Sequence, residues 1–241
     1  MTRIIDLVLI AILLICGWCG YKKGLIMGIG GVLVIIVSVF AANLLSTSFS
    51  YELVPVMRPF ASGYLESTVM DEEDGVLVTL NFDEESYSLT DLIEKRPDFA
   101  REVCREAYLR LGIAEDAAEQ MTGEAIRYAQ ENNRDLLYSV SEILSQRVSR
   151  VMCLTLAFLL ILIVLTVIGN LPNIGFRLPN MDILNDVGGA VLGVITGILF
   201  CILIAWCLRY LGLIFGAENL QKTFLASKLM RGNLIVKLLG I

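Results

Sequence analysis

The chain has 241 residues, 56% of them hydrophobic and only 18% charged, with a formal net charge of −6 and a mean hydropathy of +0.71. Soluble domains run at about 45–50% apolar and about a quarter charged, so this composition fits a membrane protein with one polar insert. Histidine is absent, which removes the commonest general base and metal ligand. The acidic balance repels anionic partners, so nucleic acid is not expected.

The first element is the apolar stretch 4–21, in which Asp6 is the one charge. An acid inside a span is either a packing or interface residue or part of a conduction path. The flanks speak against a cleaved signal. Trp18, Tyr21, Lys22 and Lys23 follow the apolar run in place of small residues, and Ile15 stands before Cys16 where a lipoprotein signal carries a small residue. The segment is therefore expected to stay as a helix. Cys16 and Cys19 have the spacing of a dithiol centre, but they lie at the far end of an apolar helix. A redox pair sits instead at a helix N-terminus, where the dipole lowers the thiol pKa. They read as incidental helix-end residues.

A second uncharged window covers 25–45. Only Tyr21, Lys22 and Lys23, bracketed by Gly20 and Gly24, separate it from the first, which predicts a tight antiparallel hairpin. Gly28 follows in the second helix. Glycines allow close helix approach, and Trp18 and Tyr21 suit the headgroup layer.

Residues 46–150 form a polar insert with 21 Asp and Glu against 10 Lys and Arg. From Gly75, the alternation Val76, Val78, Leu80, Phe82 predicts a short strand, and Tyr87 and Leu89 a return strand, giving a small β-hairpin. Asp71 to Gly75 places its glycine fifth where a calcium loop needs it sixth, and the twelfth position is Phe82 in place of a carboxylate. Helices are expected after Thr90, from Pro97 to Gly112, and as two short pieces over 114–121 and 122–130. Leu137, Val140, Leu144, Val148 and Val151 make an amphipathic stripe that should continue unbroken into the next span.

Two more uncharged windows follow at 151–171 and 187–208. Each of the four windows is near the roughly 20 residues needed to cross about 30 Å of hydrocarbon, where backbone groups must be satisfied internally. The fold class is therefore an all-α membrane protein of four transmembrane helices, with a mainly helical polar insert between helices 2 and 3. In the last helix Gly189, Gly193 and Gly197 recur on one face, a packing row. Five of the six cysteines lie in or beside the spans, and Cys104 is alone in the insert, so no disulfide framework is expected. The chain divides into a hairpin (1–45), the insert (46–150), helices 3 and 4 (151–215) and an amphipathic tail (216–241) with Leu220, Phe224, Leu225 and Leu229.

Two pieces resemble a known family. Asp6, a run of aliphatics, and then Gly20-Tyr21-Lys22-Lys23-Gly24-Leu25-Ile26 are similar to the N-terminal signature of the CvpA family, the colicin V production proteins. Asn185 followed by Gly189, Gly193 and Gly197 resembles its second signature. The chain departs from the family at Asp186 and Thr196, where members often carry a basic residue, and in its large acidic insert. The resemblance implies a multi-pass bacterial inner-membrane protein linked to toxin production or export and to envelope processes.

No catalytic, cofactor-binding or metal residue is expected, and no cofactor; the residues of interest are Asp6, Gly20, Tyr21, Lys22, Lys23, Gly24, Gly28, Asn185, Gly189, Gly193 and Gly197. The leading expectation is a non-enzymatic protein that acts in the bilayer through membrane or envelope protein partners. The alternative is a transport or channel subunit, assembled as a homo-oligomer, that uses Asp6 and the glycine-rich helices. Lys22 and Lys23 draw the first loop to the cytoplasm and put the insert outside, whereas Lys222, Lys228, Arg231 and Lys237 draw the tail inward and give the opposite orientation. The first of these is preferred.

Overall fold

The computed structural model describes residues 2–70, 75–80, 96–170 and 182–210, and the structural statements below concern those residues. They are helical: α1 (Thr2–Val69), α2 (Val76–Thr79), α3 (Pro97–Arg110), α4 (Glu115–Asn132), α5 (Leu136–Asn170) and α6 (Asp182–Tyr210). Three stretches are long and apolar enough to cross a membrane: Ile5–Val69, Leu136–Gly169 and Ile183–Tyr210. The first of them holds a break. Gly24 has φ 80° and ψ 175°, a backbone region essentially restricted to glycine, and divides α1 into two helical legs.

The chain forms two compact units. The first comprises, among the described residues, 2–47, 153–170 and 182–208. Its axis is α6, the most buried of the three long apolar stretches. The first leg of α1 runs antiparallel to α6. The Cys201 thiol donates to the Leu9 carbonyl at 3.6 Å, Leu13 meets Gly197, Cys16 meets Gly193, and Gly20 meets Gly189. Beyond Gly24 the direction reverses, for Leu25 lies against Gly188 and Gly28 against Leu192. The two legs therefore turn back on one another at a single residue. The later part of α5 is antiparallel to α6: Thr155 Oγ1 is 3.4 Å from Cys207 Sγ, and Phe158 packs edge-on against Phe200 at 5.9 Å. Leu14, Phe40, Leu160 and Ile163 face outward, each more than 60% exposed. An apolar exterior of this extent is solvated by lipid rather than water.

The second unit comprises 48–70, 75–80, 96–152 and 209–210 among the described residues. Tyr108 is its central side chain, fully buried, and its hydroxyl donates to the Val140 carbonyl at 3.0 Å. α3 opens with Pro97 at its first turn, where a missing N–H costs nothing. It closes on Gly112, φ 81°. There the Gly112 amide donates to Leu109 and the Ile113 amide to Tyr108, the paired bonds of a Schellman end. Ile113 is buried, as the apolar contact of that motif requires. α4 packs on α3 through Ala117, Ala118, Met121, Ala125 and Ala129. Ser139, Ser141 and Ser145 in α5 are buried and turn their hydroxyls back to carbonyls three or four residues earlier. Ion pairs join the elements: Arg105 with Glu115 at 2.7 Å, Arg58 with Glu142 at 2.7 Å, and Arg147 with Glu124.

Two expectations for this unit are corrected. The strand from Gly75 is absent from the described residues, and Val76–Thr79 is instead one helical turn closed by the Leu80 amide on the Val76 carbonyl at 3.0 Å. Consecutive Val76 and Leu77 are both buried, which a strand with one wet face cannot satisfy. The return strand at Tyr87 and Leu89 lies outside the described residues, as do the helix expected after Thr90 and the tail 216–241. The two short helices over 114–130 are a single helix, Glu115–Asn132. The alanine and methionine stripe carries the core face past Gly123, whose cost of about 1 kcal/mol is small beside that burial. The unbroken run from the stripe at Leu137 into the third apolar stretch is present, as α5 spans Leu136–Asn170.

Candidate functional site at the Gly24 turn

The turn is built where a helix must end, reverse and start again within one residue. Restarting at Leu25 leaves that residue's amide without an intrahelical acceptor. The acceptor comes from α6: Asn185 Oδ1 takes the Leu25 N–H at 3.0 Å, and Asn185 is 3% exposed. The side chain thus caps a helix other than its own, a bond worth about 1 kcal/mol at an exposed terminus and more costly to lose when buried.

Around this bond the structure gathers most of the residues singled out in the sequence. A methyl group placed on Gly24 would stand 2.7 Å from Asn185 Oδ1, one on Gly20 2.7 Å from the Gly193 Cα, and one on Gly189 2.8 Å from the Gly24 Cα. Gly28 packs on Leu192, and Gly197 packs on Leu13 and Cys16. Here two backbones touch with no side chain between them. Tyr21 stacks on Trp18 with centroids 6.1 Å apart, and the Lys22 ammonium lies 5.4 Å from the Trp18 ring centre. Lys23, next to the turn, is exposed. Asp6 stands apart, half-buried in the first leg near Leu9.

Cys16 and Cys19 are unpaired, Cys16 half-buried and Cys19 exposed. Cys16 touches Gly193 and Gly197, so its role on the page is packing. Among the described residues no group of three His, Cys, Asp or Glu side chains is placed to hold a metal ion.

Two features were not visible in the sequence. One is the pairing of Asn185 with the Leu25 amide. An asparagine ahead of a glycine row signals a helix end, and the row signals a close neighbour, but neither names the amide. The other is a cleft of about 290 Å³ lined by Lys23 just before the turn, by the second leg (Met27, Gly30, Gly31), by Leu165 and Thr166 of α5, and by Thr196 of α6 among others. Gly30, Gly31 and Gly169 have open space above them.

A glycine-packed helical turn with an aromatic and basic rim, set among long apolar helices, defines a multi-pass membrane protein. Residues 116–233 match the family model described as "Colicin V production protein". That stretch, just under half of the chain, is similar to the colicin V production protein family. The matched stretch starts inside the acidic segment, at the second residue of α4, and runs through α5 and α6. It includes Asn185 and the glycine row; the first signature, Asp6 and Gly20 to Ile26, lies outside it. No curated protein and no solved structure matches the chain.

Proposed function

We propose that the chain is a non-enzymatic inner-membrane protein of the colicin V production type, which supports toxin production or export, or other envelope processes, through partner contacts of its acidic segment 46–150. The family match over 116–233 carries this reading, because it joins the helices of that segment to the membrane helices in one matched stretch. The chain crosses the bilayer four times in this reading. The first leg of α1 is followed at once by a second leg running the other way, and α5 and α6 supply the remaining crossings. The first leg, residues 2–23, extends about 33 Å at 1.5 Å per residue, enough for one crossing. The hairpin is then 1–45, the insert 46–150, the second helix pair 151–215 and the tail 216–241. Lys22 and Lys23 face the cytoplasm and the insert lies outside it.

The test is complementation. Cells that lack the chain and carry a colicin V export system receive either the full chain or one without residues 70–135, and released toxin is measured. The shortened chain should enter the membrane, read by a C-terminal reporter, yet fail to restore export. Full export by the shortened chain sinks the partner reading. A reporter at residue 120 reads the orientation, and a cytoplasmic signal overturns the placement of the insert.

A further inference from the structure

The cleft beside the second leg is apolar along its length and cationic at one end. Met27, Val34, Ile35, Leu162, Leu165 and Phe200 supply aliphatic and aromatic wall, and among the described residues Lys23 is the single charged one lining it. Gly30 and Gly31 leave open space on the side of the second leg. The neighbourhood of Lys23 has the character of a headgroup layer. Trp18 and Tyr21 are exposed and stacked, and the Lys22 ammonium sits over Trp18, the pairing of aromatic and basic side chains that marks a membrane interface. Lys23 is left to the mouth of the cleft.

We propose that this cleft seats an anionic phospholipid, with its phosphate on the Lys23 ammonium and an acyl chain along the glycine side. Length selects the occupant. From Leu25, the first residue after the turn, to Ile35 the second leg rises about 15 Å, half of the roughly 30 Å hydrocarbon core. That is the depth of one leaflet and suits one acyl chain; a neighbouring transmembrane helix calls for a groove of the full thickness. Charge selects the headgroup, because an ammonium with no acid among the described residues that line the cleft favours a phosphodiester carrying net negative charge over a zwitterion. The proposal rests on the membrane-spanning placement and not on toxin export, so a failed export assay leaves it standing.

Native mass spectrometry of the full chain in detergent, titrated with phosphatidylglycerol or phosphatidylethanolamine of the same acyl chains, tests it. The expected result is one retained lipid, with phosphatidylglycerol preferred roughly fivefold, the weight of one basic side chain at an anionic surface. Lys23→Gln abolishes the preference while retention of phosphatidylethanolamine persists. Lys22→Gln leaves the preference in place. Gly30→Leu, at a position with room for a side chain, reduces retention of both lipids; Gly31→Val is the second filling variant should the first fold poorly by circular dichroism. Equal retention of the two lipids by the native chain overturns the proposal, as does equal loss in the Lys22 and Lys23 variants. A lipid-free dimer that Gly30→Leu dissociates assigns the cleft to a second copy of the chain and overturns it too.

Discussion

Asn185, buried near the start of α6, accepts the backbone N–H of Leu25, the first amide after the Gly24 reversal, at 3.0 Å across 160 residues of sequence. The turn and the last helix are therefore one structural object. Asn185→Ala strands the half-buried Leu25 amide and is expected to cost about 1–3 kcal/mol. Asn185→Asp keeps an acceptor and should cost less. Gly24→Ala should exceed both, since it forces an L residue to φ 80° and drives a methyl group onto Asn185. Unfolding of the purified chain in mixed micelles, followed by circular dichroism, gives the ranking; an Asn185→Ala variant as stable as the native chain excludes the cap.

The glycines fall into two groups that one measurement separates. Gly20, Gly189 and Gly193 meet backbone on the opposite helix, whereas Gly30 meets nothing within 4 Å. Gly189→Ala must push two helices apart and should cost about 1–3 kcal/mol. Gly30→Ala should be neutral or stabilise by up to about 1 kcal/mol, since alanine favours the helix. Equal melting temperatures for the two variants contradict the packing described here.

High pH should loosen the second unit first. Burial pushes the Cys104 thiol up to about 12 from its ordinary 9.0 and the Tyr108 phenol well above its ordinary 10.0. The folded chain therefore keeps protons that the unfolded chain releases. The associated stability is complete below about pH 9 and is lost as pH rises toward about 12. Cys104→Ala removes one of the two contributions, so its stability should decline less steeply above pH 9 than that of the native chain. Parallel declines in denaturant titrations at pH about 8, 9 and 10 count against a buried neutral thiol.

How much of this was legible in the sequence depends on how local the cause is. The apolar windows could be read because crossing hydrocarbon imposes a composition on every residue of a span. Gly112 could be read as a helix end because the αL cap needs glycine there. Gly20 and Gly189 could be read as packing residues, but their mutual contact joins distant parts of the chain and leaves no local mark. The same holds for Asn185, whose partner is a backbone amide that any residue carries. The strand expected at Val76 failed because alternation over a few residues cannot outweigh a tertiary environment that buries Val76 and Leu77 together. The break expected between Met121 and Thr122 is absent because the alanine stripe on either side has one continuous phase.

Arg209 offers the last test, because it ties the end of α6 to the start of α4 inside the second unit. Its guanidinium reaches Asp116 at 2.7 Å, and its carbonyl accepts the Ala114 amide at 3.2 Å. Arg209 is 8% exposed, while Asp116 is more than half exposed. The two ends of the pair should therefore respond unequally. Asp116→Ala leaves a buried cation with this ionic partner gone, and it also removes an acid from the first turn of α4, where the helix dipole favours negative charge. Arg209→Ala takes away the buried charge and leaves a carboxylate that water can solvate. Removing Asp116 is expected to cost about 2 kcal/mol and removing Arg209 less, apart from packing lost with the arginine stem. A double-mutant cycle should return a coupling of about 1 kcal/mol, reduced by half-exposure of the acid. Additive single costs show that the two side chains merely lie side by side, and the tie between the helices then falls to the Ala114 amide and the Arg209 carbonyl alone.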